Sequence, residues 1–260
     1  MPEYFFTVFA AAAALCMGSF ATALAYRLPR GQSIIKKYHS SCPQCGHDLS
    51  VMDLIPLFSW VFLRGRCRYC RQPIGVRYPV IEIVTALLCY AAYFVCGAVW
   101  ASVFLFCLMP VVVAIIDIDL EYKIIPDALN TAIFLIGVAA FLVWAADMDS
   151  ETVMAQAVQC LGGAVGYMVF AFLLRGVFSA ALKREAMGLG DVKLFGAVGF
   201  WFGLGPDRMA GFMITSGILG IILGAAWHKF RGEKEFPFGP ALVLAFVIIL
   251  LQSRPPFLGG

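Results

Sequence analysis

Two aspartates set in apolar surroundings are the residues of this chain best suited to chemistry. Asp191 ends the run Met187-Gly-Leu-Gly-Asp191 at the head of one apolar stretch, and Asp119 closes another. An ionised carboxylate at mid-bilayer costs about 2.5–3.5 kcal/mol, which makes each a functional candidate. Two carboxylates that share a proton hydrolyse an amide without a nucleophilic side chain: one withdraws a proton from water while the other protonates the carbonyl oxygen. Such a pair titrates as a unit. Gly188 and Gly190 let the backbone bend and leave room for a second chain beside Asp191. Asp117 is not interchangeable with Asp119, because two positions along a helix turn a side chain by about 200°. The blander alternative makes Asp119 and Glu121 solvated charges at a helix exit, with Lys123 pairing locally, and Asp191 an ordinary helix N-terminal charge. Pro126, which breaks the helix seven residues after Asp119, and the pairing of two such aspartates favour the functional reading.

A second constellation is Cys42-Pro-Gln-Cys45 and Cys67-Arg-Tyr-Cys70, with twenty-one residues between the pairs. This is close to the two-knuckle zinc spacing, in which each pair gives two thiolates to a tetrahedral ion. Four cysteines close the shell, so the expected zinc is structural; His39 and His47, nearby, are not needed as ligands. Gly46 suits the knuckle turn, and Arg66, Arg68 and Arg71 offset the thiolate charge. The alternatives are two disulfides or free thiols, and a cytosolic location disfavours disulfides. The other five cysteines lie in or beside apolar runs as small packing residues.

The elements that must position these groups are membrane spans. The 260 residues are 62% apolar and 13% charged, with mean hydropathy +0.87; a soluble core of this size would carry more charge. The expected architecture is an all-α polytopic membrane protein of about eight transmembrane helices with a small cytosolic zinc-binding insertion. The spans read as Phe5–Ala25, Tyr78–Val95, Trp100–Ile118, Ala128–Ala146, Val153–Leu174, a short Leu189–Leu204, Met209–Trp227 and a marginal Ala241–Gln252. The division is therefore residues 1–26 as a first helix, 27–78 as the four-cysteine insertion and 79–260 as the membrane domain. The first run is long and is followed by Arg27 and Arg30, so it reads as a retained span and not a cleaved signal. The insertion holds nine of the nineteen Lys and Arg against Asp48 and Asp53, which keeps it in the cytosol. Counting spans from there puts Asp119 and Asp191 at the same cytosolic face. Gly162, Gly163 and Gly166 are small residues for close helix packing, and no internal repeat is visible.

These pieces together resemble the type IV prepilin leader peptidases, bifunctional GxGD-type intramembrane aspartyl proteases. The ordered series is Gly18-Ser-Phe20 with Tyr26-Arg-Leu-Pro29, the cysteine tetrad, Ile55-Pro-Leu57 with Ser59-Trp60 and Leu63-Arg-Gly-Arg-Cys67, Arg77-Tyr-Pro79 with Glu82, Asp119 with Ile125-Pro-Asp127, Met187 to Leu194, and Phe238-Gly-Pro240. The resemblance implies catalysis by Asp119 and Asp191, with Asp117 as runner-up. It implies prepilin or pseudopilin substrates cut at the cytosolic face of the bacterial inner membrane. It further implies methylation of the new amino terminus from S-adenosylmethionine, seated in the insertion. Relatives often carry Asn where this chain has Thr22 and Leu54, and no Gly-rich cofactor loop marks a methyl-donor site. For a basic leader, the acids Asp127, Glu185, Glu233 and Glu235 are candidate contacts. The partners are then pilin-like substrates and the lipid bilayer, with no nucleic acid.

Two rivals belong to other classes. A proton-coupled transporter also uses intramembrane aspartates, but needs them near the midplane and gives the zinc insertion no role. A zinc-stabilised membrane adaptor would leave both aspartates incidental.

Overall fold

The computed structural model describes residues 2–34, 40–96, 100–183, 185, 187–233 and 236–258; His39 and Glu235 lie outside them. The described residues form α1 (Pro2–Arg27), α2 (Phe58–Phe62), α3 (Arg77–Cys96), α4 (Trp100–Tyr122), α5 (Asp127–Ala145), α6 (Ser150–Leu182), α7 (Leu189–Phe202), α8 (Pro206–Arg231) and α9 (Gly239–Gln252). Among them, β-structure is limited to the isolated bridges Ser41–Asp48 and Arg66–Pro73. Apolar runs in lipid must satisfy every backbone N–H and C=O internally, which is why they are helices. Their ends are written in the sequence: Asp149 caps α6 by accepting the Thr152 N–H at 2.9 Å, and Pro206 opens α8 while Gly232, at φ 69°, closes it.

Six helices are long and apolar enough to cross a membrane, namely α1, α3, α4, α5, α6 and α8, so this is a multi-pass membrane protein. Helices also occupy the two remaining expected spans, but α7 and α9 have only 14 residues each. At 1.5 Å per residue each is about 21 Å long, short of about 30 Å of hydrocarbon. Most residues of both are buried, and a helix apolar all round is a core element. The shortest apolar runs thus form core and not lipid-facing surface.

The chain divides into two compact units, Met1–Asp117 and Ile118–Gly260. In the first, α1 packs on α3. They approach closely at Gly18, where a Cβ would lie 2.7 Å from the Glu82 carbonyl oxygen. In the second, α7 packs against α5, α6 and α9. The fully buried Trp201 of α7 donates its indole N–H to the Ile133 carbonyl at 3.1 Å and fills the space above Gly137. Arg208 donates to the Phe202 carbonyl at 3.1 Å, placing a cation at the C-terminal end of α7, where the helix dipole favours it.

Gly163 of α6 and Gly199 of α7 face each other so closely that a Cβ on either would overlap the other's carbonyl oxygen. The expected packing role thus falls on Gly163, with Gly162 against Leu204. Overpacking such a contact costs about 1–3 kcal/mol. Gly199→Ala is therefore expected to lower the thermal midpoint of the purified protein. Gly217→Ala, which meets nothing within 4 Å, is expected to leave it in place. Equal midpoints for the two variants would refute the account of the α6–α7 seam.

Candidate functional site

Asp119 and Asp191 both belong to the second unit, and each is held at the N-terminal end of a short buried helix. Asp119, on the last turn of α4, is 5% exposed. Its Oδ2 accepts the backbone N–H of Gly239, the first residue of α9, at 2.8 Å. The first N–H groups of a helix have no intrahelical partner, and the dipole there favours an anion. A Cβ on residue 239 would stand 2.6 Å from that oxygen, so a side chain there would displace the carboxylate. Asp191, partly exposed in the first turn of α7, turns back to accept the Gly188 N–H at 3.2 Å. Ile125 lies against both Gly190, next to Asp191, and Gly239, the partner of Asp119, which brings the two aspartates into one neighbourhood.

The turn carrying Asp191 is fastened from both sides. Arg175 of α6 donates to the Met187 carbonyl at 2.8 Å, and Asn130 of α5 donates to the Gly190 carbonyl at 3.0 Å. The space at Gly190 is filled by Ile125, whose Cβ and carbonyl oxygen would each lie 3.1 Å from a Cβ added there. A Cβ at Gly188 would instead meet the Asp191 Oδ2 at 3.4 Å, an ordinary contact. Asp117, by contrast, lies in the first unit and is paired with Arg77 at 2.7 Å. That pairing separates the two aspartates of α4: Asp117 is neutralised by a cation, whereas Asp119 accepts a backbone amide and, among the described residues, has no cation paired with it.

Three candidate leader contacts already have partners: Asp127 with Lys193 at 2.7 Å, Glu185 with Arg175 at 3.2 Å and Glu233 with Lys123 at 3.0 Å. Exposed pairs of this kind are worth about 0–1 kcal/mol and yield readily to a competing cation.

In the first unit the four cysteine sulphurs lie within 4.8 Å of one another, with Cys42 and Cys70 at 3.9 Å. Zn–S bonds of about 2.3 Å in a tetrahedron set the sulphurs about 3.8 Å apart, so the cluster fits the ion. The four are thiols and not disulfides. Burial alone would raise the Cys42 thiol, yet the N–H groups of Cys45 and Gln44 and the neighbouring thiols bring it down to about 7. The Gln72 N–H favours the Cys70 thiolate, but burial and the three other sulphurs push it up to about 11. Four sulphurs this close cannot all carry charge without a cation among them.

The two knuckles share one hydrogen-bond pattern, a repeat that residue identity hides. The Cys42 N–H bonds to His47 O and the Gly46 N–H to Cys42 O; the Cys67 N–H bonds to Gln72 O and the Arg71 N–H to Cys67 O. Gly46 at φ 70° and Arg71 at φ 62° take the same left-handed position. Asp53 joins the knuckles by accepting from Ser50, from Arg68 at 2.6 Å and from Tyr69 at 3.3 Å. Its burial opposes ionisation, but the Ser50 and Arg68 donors prevail and hold its carboxyl below the usual range.

Residues 12–96 match the model of the bacterial peptidase A24 N-terminal domain, and residues 103–225 match that of the type IV leader peptidase family. The chain belongs to the type IV leader peptidase family. A prepilin leader peptidase/N-methyltransferase of Aeromonas hydrophila is 35% identical over 82% of this chain and 71% of its own length. Relatives of the same description from Xanthomonas campestris and Myxococcus xanthus are 32% and 34% identical, covering 88% and 98% of this chain and 77% and 76% of their own. No solved structure matches this chain. Membership in the leader peptidase family does not favour a transporter or an adaptor.

Within this family member, sequence reading overlooked two residues at the aspartates. Gly239 was visible only as the glycine of Phe238-Gly-Pro240, and its pairing with Asp119 spans 120 residues. Asn130 was visible as the one amide in the apolar run Ala128–Ala146. Losing its hydrogen bond to the Gly190 carbonyl costs about 1–3 kcal/mol of local order, and a misplacement of about 1 Å costs on the order of 10²-fold in rate. Asn130→Ala is expected to lower kcat for peptide cleavage by about 10–100-fold with little change in KM. An unchanged kcat would deny it a positioning role.

Proposed function

We propose that this chain is a bifunctional enzyme of the bacterial inner membrane. It removes the short basic leader from type IV prepilins or type II secretion pseudopilins at the cytosolic face, then methylates the new amino terminus from S-adenosylmethionine. The observation that supports the reading is the pair Asp119 and Asp191 in one unit, gathered around Ile125 and each held by a helix N-terminal amide. In this reading one carboxylate takes a proton from the attacking water and the other protonates the scissile carbonyl oxygen. A substrate helix has all its backbone bonds made internally, so cleavage falls where it is unwound or where it begins.

Proteolysis is assigned to residues 79–260 and methyl transfer to the insertion 27–78, which a structural zinc on Cys42, Cys45, Cys67 and Cys70 holds folded. The excess of Lys and Arg in that insertion supports a cytosolic orientation. The test is incubation of the purified protein with a panel of prepilin peptides and S-adenosylmethionine, read by mass spectrometry. Release of the leader and a product heavier by one methyl group are expected. Intact peptides across the panel would refute the protease assignment, and cleaved but unmethylated products the transferase assignment.

A further inference from the structure

The first unit contains a cavity of about 360 Å³ walled by α1, α3 and the insertion, within the range of about 300–1,000 Å³ usual for small-molecule sites. Tyr26, Trp60 and Tyr78 contribute aromatic surface to its lining, and Glu82 contributes a carboxylate. The other carboxylates of this wall and its surroundings are compensated: Asp53 by Arg68 and Asp117 by Arg77. Glu82 is not. Its Oε2 accepts the Leu57 N–H at 2.8 Å, and among the described residues no cation pairs with it. A half-buried carboxylate beside apolar and aromatic walls is costly unless a cation joins it.

The loop that supplies its one donor is strained. Leu57 sits at φ 62°, ψ −50°, with the Phe58 N–H bonded to the Pro56 carbonyl at 2.7 Å. This is the rare γ-turn of positive φ, disfavoured for a side chain by about 1–3 kcal/mol. Such strain persists where the surroundings over-determine it, and here it aims an N–H at Glu82. From the opposite side, Gly18 lets α1 approach the Glu82 backbone within van der Waals contact. The fold thus fixes a carboxylate with no ion-pair partner among the described residues in a cavity with aromatic walls, a combination that suits an organic cation. Arg27 of the same lining is engaged with the Ile34 carbonyl and the Ser40 hydroxyl.

We propose that this cavity binds the methyl donor, S-adenosylmethionine, with Glu82 as the counter-charge of its sulfonium and Trp60 as an aromatic wall. The proposal rests on the methyltransferase half of the function above. When bound, the donor supplies an electrophilic methyl group: the acceptor amine's lone pair forms the N–C bond, the C–S pair returns to sulphur, and the amine proton leaves to water. The spent product is a neutral thioether, so Glu82 favours the donor over the product. That preference is a property of binding and can be read without turnover.

The experiment is equilibrium binding of S-adenosylmethionine and S-adenosylhomocysteine to the full chain in detergent, for the wild type and for Glu82→Gln. The wild type is expected to prefer the donor. Glu82→Gln is expected to weaken donor binding by about tenfold, or 1.4 kcal/mol, and product binding by less than about twofold. Equal weakening of both ligands, or of neither, would overturn the role of Glu82. The wild-type ratio tests the charge without a variant, and equal affinities there would also overturn it. If the wild type methylates cleaved peptide but Glu82→Gln and Trp60→Ala both bind the two ligands as tightly as the wild type, the site is elsewhere and the transferase reading stands. If no methylated product forms, that reading fails and takes this one with it.

Discussion

Asp191→Asn and Asp119→Asn are each expected to reduce leader cleavage by on the order of 10⁴-fold or more, the scale found when a member of a catalytic unit is removed. Asparagine is close in shape to aspartate, and its amide oxygen can still accept the N–H of Gly239 or of Gly188. The helix ends should therefore stay satisfied while the charge and the transferable proton are lost. Asp117→Asn removes the partner of Arg77 in the first unit and is expected to keep cleavage within about tenfold, as for a partly exposed ion pair. Thermal midpoints near the wild-type value would show that the losses are chemical. Robust cleavage by Asp119→Asn would shift the assignment to Asp117.

The second large effect concerns the metal. Binding energy at a structural zinc is folding energy, about 10–16 kcal/mol for small zinc domains at neutral pH. Cys67→Ser, or stripping with a strong chelator, is expected to expose the insertion to proteolysis and to lower zinc from one per chain to near zero. Methyl transfer should be lost with it, because Cys42 and Cys67 line the Glu82 cavity. Cleavage should fall much less, since Asp119, Asp191, Gly239 and Asn130 all lie in the other unit. An apo protein with an intact, protease-resistant insertion would refute a structural zinc.

Much of this architecture was legible because it is written locally. Apolar runs, the proline and glycine punctuation and the two Cys-x-x-Cys pairs each lie within a few residues, and the helices fall where the runs do. The role of α7 and α9 was harder to read, because hydropathy cannot distinguish a helix buried in protein from one in lipid. Their length, 14 residues each, is the signal that separates them. What was illegible is long-range. Gly239 meets Asp119 across 120 residues, and Asn130 reaches Gly190 across 60; no local pattern encodes either. The matching knuckles were hidden because Gly46 and Arg71 take one backbone conformation with unlike side chains.

That Asp119 and Asp191 act as one catalytic unit is tested most directly by kcat/KM for the double variant Asp119→Asn/Asp191→Asn beside the two single variants. Groups that work as a unit are strongly non-additive, so the double variant should cleave no more slowly than the slower single variant. A double variant whose loss equals the product of the two single losses would mean that the carboxylates act independently, which contradicts a shared site.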